Sequence, residues 1–203
     1  MTAATSASAA APPRWRAITH RAAWLLGGLA AATLLRGAAN GASSANQALL
    51  AGTGFGIALL GIAVIAGWRP SRPSPRGLAI GMFGGAILVL LPLLLHPVAL
   101  NAPGMRPAPF PEWATITLLV ASAEEVLLRG ALISAVGRSY GLPAAVVMSS
   151  IAFALMHVPL YGWAVVPLDL AAGVWLAGLR LASGGVAAPA VAHALADLAT
   201  WWI

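Results

Sequence analysis

The sequence predicts an all-α polytopic membrane protein, a transmembrane helical bundle of about seven membrane helices. Three observations carry this. The chain of 203 residues is 60% hydrophobic and only 8% charged, whereas a soluble domain carries about a quarter charged residues. Its mean hydropathy is +0.88, which leaves too little polar surface to face water and excludes both a soluble globular fold and disorder. The apolar residues come in long stretches without the period-two alternation of barrel strands, so helices are the spanning structure to expect.

Taken in order, residues 1–21 read as a disordered cytoplasmic tail, small and low in complexity at first and then rich in Arg. Residues 22–100 hold three apolar segments, Ala22 to Ala39, Leu49 to Trp68 and Gly77 to Leu95. The first also resembles a signal peptide through its Arg-rich lead and the small-residue tract Gly37 to Ser43, but Arg36 and the long lead-in fit that poorly. Arg69 to Arg76 carries three prolines and three charges, which bars both helix and membrane core. A polar, proline-rich loop is expected from His96 to Glu112. Residues 113–203 then hold four segments: Trp113 to Val136, Pro143 to Leu160, Trp163 to Ala182 and Val186 to Ile203. Trp113, Trp163, Trp201 and Trp202 sit at segment ends, where indole rings favour the headgroup level.

Charge sets the orientation. The net charge is +6 and all eleven basic residues are Arg. They sit singly or in small groups at segment ends with no basic run among aromatics, so they argue against nucleic acid and for membrane topology. With the N-terminus in the cytoplasm, Arg14, Arg16, Arg21, Arg69, Arg72, Arg76, Arg138 and Arg180 fall inside, and Arg36 and Arg106 outside. This implies a multi-pass protein of the cell membrane with a cytoplasmic N-terminus. The absence of Cys excludes disulfides and thiolate chemistry.

Ionisable residues in hydrocarbon are expensive and tend to be functional. Those inside the apolar segments are Glu124, Glu125 and Arg129 in the fourth, His157 in the fifth, Asp169 in the sixth, and His193 with Asp197 in the seventh. At 1.5 Å per residue, Glu124 lies about 17 Å from the outer end of its segment, and His193 and Asp197 about 10 and 17 Å from the inner end of theirs. All fall near mid-membrane, so one shared polar cavity between the fourth, fifth and seventh helices is geometrically open to them. Glu125 and Arg129, at i and i+4, can neutralise one another. Glu124 is turned about 100° away and lacks that partner, which makes it the candidate reactive carboxylate and general base. His193 and Asp197, like Phe153 and His157, also share a face.

These residues carry a resemblance. Glu124-Glu-Val-Leu-Leu-Arg129 reads as EExxxR, Phe153-Ala-Leu-Met-His157 as FxxxH, and His193-Ala-Leu-Ala-Asp197 as HxxxN/D. In this order on successive helices they resemble the three motifs of the CPBP family of intramembrane glutamic endopeptidases. That family includes type II CAAX-prenyl endopeptidases and bacteriocin-processing or immunity (Abi) proteins. The resemblance covers about Trp113 to Trp202. It implies that Glu124 takes a proton from the attacking water, that His157 helps to hold that water, and that His193 and Asp197 line the oxyanion side. Glu125, Arg129 and Phe153 would support the site. It implies no cofactor and no metal, with peptide or membrane-protein substrates in the bilayer. One departure stands out: well-characterised CAAX-type members have Asn where this chain has Asp197, and an ionised Asp cannot donate to an oxyanion.

Plainer readings stand beside this one. Glu125 with Arg129 can be a helix-stabilising ion pair, His157 an interhelical hydrogen bonder, and His193 with Asp197 a packing bridge. Asp169 matches no motif and reads as structural, and the small residues between Gly162 and Gly185 read as close helix packing. Two other function classes remain: a metal-dependent membrane hydrolase using the acids and two His, although no HExxH stretch exists, and a non-catalytic binding, immunity or scaffold protein using the same cavity.

Overall fold

A computed structural model describes residues 14–39, 45–95 and 108–202. The expected N-terminal tail up to residue 13 and most of the long loop after His96 lie outside these residues. Among the described residues all regular structure is helical. The order is α1 (Arg14–Ala39), α2 (Ala45–Ile65), α3 (Pro75–Leu95), α4 (Phe110–Glu125), a π-helical turn (Val126–Leu132), α5 (Ile133–Tyr161), a 3-10 turn (Trp163–Val165), α6 (Val166–Ser183) and α7 (Ala187–Ala199).

The boundaries follow local chemistry. α1 starts at Arg14, ahead of the apolar run at Ala22, because helical backbone bonding continues into the Arg-rich lead that the sequence assigned to the tail. Pro75 opens α3, where a missing N–H costs nothing, and the Ser74 hydroxyl accepts from the Gly77 N–H at 3.0 Å. α4 likewise opens on a proline, starting at Phe110 inside the expected loop. Gly184, at φ 73°, closes α6 with its N–H on the Arg180 carbonyl.

The run from Phe110 to Tyr161 is apolar over 52 residues, but it is not straight. Gly141 has φ 81° and ψ 165°, a conformation that breaks the helix two residues before Pro143. A Cβ on Gly137 would lie 3.8 Å from Cβ of Ala145, whereas eight residues of continuous helix would separate the two by about 12 Å. The chain therefore turns back at Gly141, between the fourth and fifth sequence segments.

The expectation of seven crossing helices is corrected. Four described runs are long and apolar enough to cross a membrane: His20–Ala39, Asn46–Ile65, Phe110–Tyr161, which turns back at Gly141, and Trp163–Ser183. Pro75–Leu91 and Ala187–Ala199 are shorter apolar helices. The thirteen residues of α7 reach only about 20 Å, against a hydrocarbon core of about 30 Å. The architecture is a helical membrane bundle with both full-length and shorter members.

Small residues set the closest approaches. A Cβ on Gly81 would lie 2.7 Å from the Ala188 carbonyl oxygen, and one on Gly85 2.9 Å from Leu195 Cδ1, so α3 and α7 meet nearly backbone to backbone. On the α5–α6 seam a Cβ on Gly173 would lie 3.0 Å from Ser150 Cα. Leu127, Leu128, Leu132, Leu176 and Ala192 are buried at the centre where these helices converge.

Candidate active site

The polar side chains singled out from sequence converge at the end of α4. Glu124, Glu125, Arg129 and His193 are all buried, Glu125 and Arg129 completely. Because Glu125 ends α4 and Arg129 sits in the π turn that follows, the acid pair leads straight into a segment whose carbonyls are offset from the usual ladder. Two of them find side-chain donors: Arg180 Nε donates to the Arg129 carbonyl at 3.1 Å, and the Ser134 hydroxyl to that of Gly130.

The two acids have different surroundings. Glu125 Oε1 accepts from Arg129 Nη1 at 2.7 Å and lies 2.9 Å from His193 Nδ1. A carboxylate accepts, so the imidazole presents its Nδ1–H there. Arg129 spends Nη2 on the Gly173 carbonyl at 3.1 Å, and its guanidinium lies over the Phe153 ring, 4.7 Å from the centroid. The close α5–α6 seam at Gly173 is what brings that carbonyl within reach. Glu124, by contrast, accepts no hydrogen bond among the described residues. Its neighbours are Arg36 Nη1 at 3.7 Å and His193 Nε2 at 3.8 Å, both beyond hydrogen-bond range.

The two imidazoles flank Phe153, whose ring meets His157 edge-on at 4.8 Å and His193 at 5.3 Å. His157 Nδ1 lies 3.1 Å from the Phe153 carbonyl and 3.2 Å from Asp169 Oδ2. Both neighbours are acceptors, so the proton sits on Nδ1 and Nε2 is left for other work. Asp197, the most exposed of the group, has Oδ2 3.5 Å from His193 Nε2. Four of the five acidic residues of the chain thus face two guanidinium groups and two imidazoles, a set that can balance in charge inside an apolar bundle.

Every residue anticipated from sequence lies in this cluster, and sequence reasoning missed three partners. Asp169, read as structural, holds His157; its signal was available, since it is itself an intramembrane acid. Arg36, read as an outside flanking charge, reaches Glu124 while its guanidinium sits 4.6 Å from the centroid of the Phe55 ring. The Gly173 carbonyl carried no sequence signal. The cluster therefore draws on α1 and α6 as well as on α4, α5 and α7. Among the described residues no group of three or more His, Asp or Glu is arranged to hold a metal ion.

Chemically, the arrangement offers one buried carboxylate unspent on hydrogen bonds, beside a second whose Oε1 is shared by Arg129 and His193, with two imidazoles held in defined orientations. The family model for type II CAAX prenyl endopeptidase Rce1-like proteins matches residues 106–199, a stretch that contains every member of the cluster except Arg36. No curated protein and no solved structure gives a significant match. Over residues 106–199, just under half of the chain, the sequence is similar to type II CAAX prenyl endopeptidase Rce1-like proteins, which supports a place in the CPBP/CAAX protease family.

Proposed function

We propose that the chain is an intramembrane endopeptidase that hydrolyses peptide bonds of membrane-associated or peptide substrates, with water activated by Glu124 and His157. The observation that supports this most is the unequal treatment of adjacent acids. Glu125 is consumed by Arg129 and His193, whereas Glu124 is buried yet unbonded. A carboxylate in that state is available to take a proton from water. The water oxygen attacks the scissile carbonyl carbon, the proton passes to Glu124, and Glu124 returns it to the leaving amine. His157, with Nδ1 held by Asp169 and the Phe153 carbonyl, directs Nε2 at the same water. His193 stands on the oxyanion side, where a donor contributes a few kcal/mol in a dry site.

Asp197, 3.5 Å from His193 Nε2 and not hydrogen-bonded to it, attracts that edge of the imidazole electrostatically and leaves the Nε2–H free for the oxyanion, which reconciles the acid with a family position often filled by Asn. Glu125 and Arg129 fix His193 from its other nitrogen, and Phe153 keeps the two imidazoles apart. The protein works in the cell membrane with its N-terminus in the cytoplasm, where the arginine distribution favours it. Its core is residues 113–203, and CAAX-type processing or bacteriocin processing and immunity are the substrate classes to test first.

The test is cleavage of an internally quenched peptide library by the purified protein, with and without a chelator. Activity that survives chelation and disappears in Glu124→Gln is the expected result. Activity abolished by chelation would move the assignment to a metal-dependent hydrolase.

A further inference from the structure

A polar cavity opens at the end of the bundle where α1 begins, α2 joins α3 and α6 joins α7. It holds about 350 Å³ and is lined by Arg21, Arg69, Arg138 and Arg180, with the hydroxyl-bearing Ser71 and Ser134 between them. Arg21 and Arg180 are half-buried and Arg69 and Arg138 exposed at the mouth. No acid lines it. The chain has only five acidic residues; four are in the catalytic cluster and the fifth, Glu112, is in the first turn of α4.

None of the four arginines makes an ion pair among the described residues. Arg180 spends Nε on the Arg129 carbonyl and Arg69 spends Nη1 on the Trp68 carbonyl, while Arg21 Nε is buried without a partner. Arg21 and Arg138 also stand close enough to repel one another. Positive charges gathered in a partly desolvated cleft need a counter-charge, and the described residues supply none.

We infer that this cavity binds a phosphate group. Guanidinium forks match phosphate oxygens two at a time, four of them suit a group of one to two negative charges, and the Ser71 hydroxyl adds a neutral donor. The volume admits a phosphate with a small polar substituent but not a polypeptide segment. Its place at a helix-end face, beside the indole of Trp68, fits a phospholipid headgroup, since basic pockets between membrane helices recognise such groups. Free phosphate offers the same chemistry. Arg180 both lines the cavity and holds the π turn, so the bound group would touch a side chain one hydrogen bond from Arg129.

The experiment is native mass spectrometry of the full-length chain in detergent, titrated with phosphatidic acid, with phosphatidylcholine and with inorganic phosphate. A one-to-one phosphatidic acid adduct that phosphate does not displace assigns a lipid headgroup. An adduct that phosphate displaces, or a phosphate adduct alone, assigns the phosphate group by itself; both outcomes support the inference. Arg21→Gln with Arg138→Gln should weaken the adduct at least about ten-fold. Arg72→Gln with Arg76→Gln, an equal charge change outside the cavity, should leave it unchanged.

Gly185→Asp provides a second variant that retains every arginine. Nothing lies within 4 Å of a Cβ there, so the carboxylate enters open space and should displace the ligand. No adduct on the wild type beyond that of phosphatidylcholine, or equal loss in both arginine pairs, would overturn the inference.

Discussion

Arg129 is a fully buried cation whose single carboxylate partner is Glu125, 2.7 Å away. Replacing Glu125 by Leu leaves that guanidinium in contact with the Gly173 carbonyl and the Phe153 face, neither of which carries a charge, and with Glu124 as the one acid still near it. Stranding one half of a buried pair costs about 3–5 kcal/mol, or about 6–20 °C in Tm for a chain of this size. Arg129→Met should cost less, because Glu125 keeps the His193 Nδ1–H on Oε1 at 2.9 Å, although its Oε2 lacks a partner. The double variant Glu125→Leu/Arg129→Met removes both charges and should recover most of the loss, because apolar replacement of a whole buried pair is close to neutral. Recovery should be incomplete, since His193 Nδ1 also loses its acceptor. The assay is thermal unfolding in one detergent for the wild type, both single variants and the double. Peptidase activity, measured alongside, should stay low in the double variant even where stability returns, because His193 is no longer held. A Glu125→Leu protein within about 2 °C of the wild type, or a double variant as unstable as the two losses added together, would refute the reasoning.

Three further outcomes follow from the geometry. Asp169→Asn removes a charge-assisted contact at 3.2 Å from His157 Nδ1 and should lower kcat about 10- to 100-fold with little change in Tm, read from steady-state cleavage beside a melting curve. Asp197→Asn keeps an acceptor facing His193 Nε2 at a half-buried position, so kcat/KM should stay within about five-fold of the wild type; a hundred-fold loss would show that the charge itself is required. Gly81→Val drives a side chain into the Ala188 carbonyl and should destabilise by about 1–3 kcal/mol, whereas Gly61→Ala, with nothing within 4 Å, should leave the melting temperature unchanged.

What could be read from sequence was what local spacing determines. Glu125 and Arg129 pair because four residues bring them to one helical face, and the same spacing aligns His193 with Asp197. Depth along each apolar segment put these groups at one level, and the structure gathers them there. Contacts between distant segments were not legible. Arg36 reaches Glu124 only because α1 packs against α5 at Gly37, where a Cβ would lie 2.8 Å from Pro159 Cβ, and no spacing rule links two helices so far apart in the chain. The π turn after Glu125 escaped notice because Val126 to Leu132 is ordinary helix-forming sequence; its extra residue per turn is held by Arg180 and Ser134 from outside the motif. The span count erred because hydropathy reports apolarity rather than length. α7 is apolar enough to read as a crossing helix, yet its thirteen residues end short of a full span.

The central claim is that Glu124 is the proton-accepting carboxylate of a protease. Peptide ends in the membrane fraction of cells producing the wild type, compared with cells producing Glu124→Gln at equal level, test it most directly. The account predicts new termini in the wild type alone, with the variant still folded because Glu124 anchors no hydrogen bond among the described residues. General-base loss should reduce cleavage by about 10²- to 10⁴-fold, so those termini should fall below detection in the variant. Identical sets of termini, from a folded variant that retains the biological function of the wild type, would contradict the account and identify the cavity as a binding site.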